Sequence, residues 1–153
     1  MKNVRFASAA LILATGLISA ACSAHVSTPT SPSAIAGAGA TLTEGAYAGT
    51  WQLTDIQPTG QAAQPAPEGA TYRITFEDGR VSTRADCNVC SGSATLSGQA
   101  VTIGPALACT RAACPTMAYE TMYESILSGN SSVTVTDRSL TLSSMRGVLR
   151  FTR

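Results

Sequence analysis

Tyr72-Arg73-Ile74-Thr75-Phe76-Glu77-Asp78-Gly79-Arg80-Val81 decides the fold class. Tyr72, Ile74 and Phe76 alternate strictly with polar residues, the period of a half-buried strand. Asp78-Gly79 is a hairpin signal, and Val81 opens the return strand.

The same signal recurs on either side. Thr50 to Ile56 alternates, placing Trp51, Leu53 and Asp55 on one face and Gln52, Thr54 and Ile56 on the other. Pro58 to Gly69 is a Pro/Gly/Gln loop. Ala94-Thr95-Leu96, a Ser97-Gly98 turn and Val101-Thr102-Ile103 predict a second hairpin. Val133 to Val135, Leu140 to Leu142 and Val148 to Phe151, with turns at Asp137-Arg138 and Arg146-Gly147, predict a meander. The fold class is mainly β: a small antiparallel barrel-like sheet of about 7–8 short strands that closes or nearly closes.

One segment breaks the pattern. Pro115 to Ser128 carries Met117, Tyr119, Met122, Tyr123, Ile126 and Leu127 at helical spacing, with Glu120 and Glu124 on another side. Pro115 or Thr116 starts this helix and Gly129-Asn130 ends it. Its Met and Tyr stripe is read as core packing against the sheet.

The N-terminus reads as an address. Lys2 and Arg5 precede an apolar run from Phe6 to Ile18, which ends in Ser19-Ala20-Ala21-Cys22. This is the layout of a secretory signal over residues 1–21. Small residues before Cys22 resemble a lipobox, with Ser19 where Leu is usual. Cys22 is therefore expected to carry the lipid that anchors the chain to a membrane. Cleavage by ordinary signal peptidase is the alternative. Residues 22–45, rich in Ser, Thr, Pro, Ala and Gly, bury too little apolar surface to fold and read as a linker. The domain is expected over 46–153.

Composition excludes several functions. The 153 residues have a formal net charge of +1, and only 12% are charged, so no strong field recruits nucleic acid. The one histidine, His25, lies in the linker. Within one chain, a Ser-His-Asp triad, a Cys-His pair and a His-based zinc site are excluded from the domain. Glu77, Asp78 and Asp86 flank one hairpin, and Asp78 is a turn residue. Arg111 with Asp86 or Glu120 is expected as a buried structural ion pair, and Asn88 and Thr110 are expected to bond local backbone. The chain is not expected to be an enzyme or to hold a cofactor. Two carboxylates in reach of each other in one pocket would reopen that question.

Cys87, Cys90, Cys109 and Cys114 remain in the domain. An even count in an exported chain implies two disulfides. Of three pairings, the nested one, Cys87–Cys114 with Cys90–Cys109, suits two segments running past each other in opposite senses. Closing a loop of about 28 residues stabilises by roughly 3–4 kcal/mol in the chain-entropy model. Cys87-Asn88-Val89-Cys90 also has thioredoxin-like spacing, without the βαβ unit such sites need. A four-cysteine zinc site fits the spacing, and an oxidising compartment disfavours it.

An ordered set of motifs carries a resemblance: Trp51-x-Leu53, Phe76-x-Asp78-Gly79-Arg80-Val81, Cys87-Asn88 with Ser91-Gly92, Ile103-Gly104, Thr110-Arg111-Ala112-Ala113-Cys114-Pro115 with Met117, Glu120 and Leu127, and Leu140-Thr141-Leu142. Over roughly 45–153 the chain resembles the META domain (DUF306) family, which includes HslJ-like lipoproteins. Trp51, Asn88, Gly92, Thr110, Arg111 and Pro115 are its structural motif residues here. Cys90 stands where the family often has an aromatic residue, Cys109 where it has a non-cysteine, and Asp86 where it has Gly. The resemblance implies a small β-barrel-like fold with one packed helix. It also implies a role in envelope stress, heat shock or antibiotic tolerance, with no catalytic residue to carry over. The expected partner is an envelope protein or small hydrophobic ligand at a barrel mouth or sheet edge, met by a monomer. A structural envelope protein without a defined ligand is the alternative.

Overall fold

The computed structural model of the chain describes residues 44–153. The expected signal, Cys22, His25 and nearly all of the expected linker lie outside the described residues. A short helix, α1 (Glu44–Tyr47), leads into β1 (Gly49–Pro58), and β2 (Gln64–Pro65) follows inside the loop. Next come β3 (Tyr72–Glu77), β4 (Arg80–Ala85), β5 (Asn88–Ser97), β6 (Ala100–Ile103) and β7 (Ala108–Cys109). The main helix, α2 (Met117–Leu127), precedes β8 (Gly129–Val135), β9 (Ser139–Ser144) and β10 (Gly147–Thr152).

The order β10-β9-β8-β6-β5-β4-β3-β1 closes through β1–β10 pairing, giving an eight-stranded antiparallel barrel with one main helix. Eight strands leave an interior that side chains can fill. Trp51, Tyr72, Ile74, Ile103, Leu140, Leu142, Leu149 and Phe151 fill it here. Closure also removes the free edges that would template other chains.

Asp78 and Gly79 take φ of 48° and 70°, the two positive values a two-residue hairpin turn requires. That turn pairs Glu77 with Arg80, Thr75 with Ser82 and Arg73 with Arg84. Asp86 holds φ 53°, so this turn keeps the left-handed backbone that glycine favours although the residue is not glycine.

Strict alternation fails in β1. The β1–β10 register shifts between Leu53 and Asp55, so Trp51, Leu53 and Ile56 point inward and Asp55 is only half-buried. A bulge changes the phase of everything after it. Asp55 instead pairs outside with Arg150, at 2.6 Å.

The end of β1, the starts of β3, β5, β8 and β10, and the ends of β4, β6 and β9 share one end of the barrel. Helix α2 lies across that end. Tyr123 is fully buried against Tyr72 and Phe151, and Ser144 Oγ donates to Ile126 O. At the opposite end Tyr47 of α1 packs edge-on against Phe76 and accepts from Trp51 Nε1 at 2.7 Å. Arg153 lies 4.1 Å over the Trp51 ring. The helix carries one correction to the sequence reading: Glu120 is buried, and Met117, expected on the packed stripe, is 41% exposed.

Candidate functional site

The cysteine segments meet beside α2. Cys87 joins Cys114 with Cα atoms 5.9 Å apart, and Cys90 joins Cys109 at 4.0 Å. This is the nested arrangement. Cys90 and Cys109 are direct register partners of β5 and β7, so the second bridge staples a ladder already in place. The CxxC cysteines bond elsewhere and not to each other, against a thioredoxin-like reading. Cys90, Cys109 and Glu124 converge within 4.8 Å, a spacing that suits a metal. Both sulfurs are spent in their disulfide, leaving one carboxylate as a ligand.

Asn88, fully buried at the start of β5, organises this region. Its Oδ1 accepts from the Ala112 backbone N–H at 2.8 Å and from Thr110 Oγ1 at 2.9 Å. A backbone N–H only donates, which fixes the orientation of the amide. Asn88 Nδ2 then faces Ala112 O at 3.0 Å and both Glu120 oxygens at 2.9 and 3.0 Å. The side chain thereby straps the 110–114 segment to β5 and supplies donors to a sealed carboxyl. Thr110 Oγ1 accepts from Val89 N at 3.0 Å, a backbone bond to a residue 21 positions away and not the local one expected.

The other motif residues have structural places. Trp51 fills the core. Gly92 sits under Leu107, where an added Cβ would lie 2.8 Å from Leu107 Cδ2. Pro115 is exposed, just before Thr116, which holds the N-cap position of α2 without a side-chain capping bond. Thr116 donates to Asp86 at 2.7 Å and accepts from the Tyr72 hydroxyl at 2.8 Å. Asp86 is therefore not the partner of Arg111, and neither is Glu120. Arg111 stands 3.7 Å from Glu124 and is 70% exposed, so the expected buried ion pair is a solvated one. Arg111 lies in the irregular segment after β7, with its side chain in solvent.

Glu120 and Glu124, one helical turn apart, bring two carboxyls together. Burial pushes the Glu124 carboxyl above its ordinary value; Arg111 opposes this, and Glu120 adds to it through charge and a hydrogen bond. Glu120 is only 2% exposed and held by Asn88. Tyr123 hydroxyl lies 2.6 Å from Thr83 Oγ1, and its ionisation is strongly disfavoured by burial. Among the described residues no buried side-chain nitrogen or oxygen lacks a partner. A fully satisfied buried polar network rigidifies the region around it.

The outer face of β1, β3, β4 and the start of β5 differs. Arg73 and Arg84 are direct cross-strand partners and both are exposed. With Thr50, Thr75, Ser82 and Val89 they border an open groove of about 310 Å³. The sequence reading passed over this pair. Its signal was present: alternation turns Arg73 and Arg84 outward, and the Asp78-Gly79 turn sets their register.

Comparison with known proteins places this geometry. Residues 40–153 match the META domain family. No curated protein matches. A solved structure of a protein from Burkholderia xenovorans is similar with TM-score 0.60 and 22% identity, covering 74% of this chain and 89% of that one. The crystal structure of a DUF4847 family protein from Bacteroides vulgatus ATCC 8482 is similar with TM-score 0.52 and 16% identity, covering 70% and 93%. At such identities the likeness is one of fold.

Proposed function

The chain belongs to the META domain family, and on that premise we propose that it is a non-catalytic binding module of the cell envelope, exported and held at a membrane by a lipid on Cys22. One observation carries the reading. The barrel is filled by its own side chains and covered at both ends, and its buried polar groups are spent on one another. Contact with a partner therefore falls to the surface of the barrel, not to its interior. Two disulfides favour an oxidising compartment. The family's association with envelope stress and antibiotic tolerance supports a tolerance role for whatever is bound.

Crosslinking in native membranes, followed by purification of the chain, tests this. A discrete envelope molecule enriched over a Cys22→Ala control supports the module. Nothing enriched favours a structural protein without a defined ligand. Palmitate should label the chain, and Cys22→Ala should lose the label; a label that survives the substitution refutes the anchor.

A further inference from the structure

We propose that the groove on the outer face of β1, β3, β4 and β5 binds a phosphate-bearing ligand, held by Arg73 and Arg84. The inference rests on the binding-module reading and names its surface and ligand chemistry.

Arg73 and Arg84 stand directly opposite each other on adjacent strands. Like charges so placed repel and weaken the sheet. Among the described residues the two ion pairs are Arg111–Glu124 and Arg150–Asp55, so no carboxylate relieves this repulsion. Neither guanidinium has a carboxylate partner among the described residues within 4 Å; an anion between the two would gain from both. Arg84 Nε donates to Asp86 O at 2.9 Å, which steadies the side chain and leaves its terminal nitrogens available.

The remaining border selects the kind of anion. Thr50, Thr75 and Ser82 present hydroxyls to the groove. Thr50 Oγ1 and Thr75 Oγ1 lie 2.8 Å apart and share one proton, which leaves the other free to donate. Two planar forks plus hydroxyl donors exceed what the two oxygens of a carboxylate can accept, and they suit the oxygens of a phosphate. Val89, 44% exposed, offers an apolar wall to the carbon portion of an ester. A volume of about 310 Å³ admits a small phosphoester or a lipid headgroup. Both sources share the chemistry.

The test uses the full chain carrying Cys22→Ala, so that no lipid confounds membrane binding. Glycerol 3-phosphate is titrated by calorimetry, and flotation is measured with phosphatidylglycerol vesicles against phosphatidylcholine vesicles. Binding to at least one phosphate probe is expected, weakening as salt rises. Arg73→Gln and Arg84→Gln should each weaken it roughly tenfold or more, and the double variant should abolish it. Arg138→Gln, in the β8–β9 turn, should leave it unchanged. Binding of glycerol 3-phosphate assigns a soluble ester, and flotation alone assigns a headgroup. Because repulsion is relieved, Arg73→Gln should melt at the same temperature as the parent or higher. Failure of both probes, or a double variant that binds like the parent, overturns the groove. In that case a partner recovered by crosslinking would leave the binding-module reading standing on another surface.

Discussion

Asn88 and Glu120 meet inside the protein, Asn88 Nδ2 lying 2.9 Å from Glu120 Oε1 and 3.0 Å from Oε2, with both residues at most 2% exposed. The contact joins the start of β5 to α2 and so holds the helix over its end of the barrel. Asn88→Ala removes the donor to a buried carboxyl and the acceptor for Ala112 N–H. It should cost about 1–3 kcal/mol in urea unfolding, the usual consequence of leaving buried hydrogen-bonding groups without a partner. A cost below about 1 kcal/mol would show that Asn88 is not the hub described.

The two bridges should each contribute roughly 3 kcal/mol in the chain-entropy model, less than additively because their loops are nested. Alkylation of the denatured, unreduced protein should modify none of Cys87, Cys90, Cys109 and Cys114. Reduction should lower the urea midpoint, and the Cys90→Ala/Cys109→Ala variant should fall between the oxidised and reduced forms. Four alkylated thiols before reduction would contradict the pairing.

Glu124 gives a pH signature. Its carboxyl holds its proton to a higher pH in the native chain than in the unfolded one, whose ordinary value is 4.5. Between those two values the native state binds more protons, so this group's contribution to stability falls as pH rises. Glu124→Gln should remove that slope. It should leave stability near about pH 4 almost unchanged and raise it or leave it level near about pH 8, because the lost pairing with exposed Arg111 is worth little. A variant less stable only at the higher pH would reverse the assignment.

Gly147 begins β10 at φ 151° where the backbone of β1 passes closely. An added Cβ would meet Gln57 O and stand 2.9 Å from Pro58 Cα, neither of which can move without opening the barrel seam. Gly147→Ala should cost more than about 2 kcal/mol, combining backbone strain with overpacking. Gly98→Ala, at a turn with nothing near its Cβ, is the comparison and should cost less.

Much of this architecture is legible in the residues. Alternation in Tyr72–Phe76 and the Asp78-Gly79 turn give the central hairpin, and the Met117–Leu127 spacing gives the helix. What stays hidden depends on contacts distant in sequence. The bulge after Leu53 is set by pairing with β10, so alternation alone puts Asp55 inside and Ile56 outside. Glu120 reads as a candidate buried partner of Arg111, whereas Asn88, 32 residues earlier, supplies its donors. Arg111 reads as a buried partner until the 110–114 segment, strapped by Asn88, turns its side chain outward. The Arg73–Arg84 pair is the opposite case: pattern and turn suffice to place it, and only its meaning needs the groove.

The central claim is that the outer β1–β3–β4–β5 face acts on a partner while the Asn88–Glu120 interior holds the fold. Site-specific photocrosslinking from position 89 in native membranes, read by intact mass, tests it most directly. Val89 borders the groove, and Thr134, exposed on β8, is the control position. The account predicts a discrete adduct from position 89, none from position 134, loss of the adduct in the Arg73→Gln/Arg84→Gln chain and its survival in Glu124→Gln. No adduct from position 89, or one that disappears with Glu124→Gln and persists without the two arginines, would contradict it.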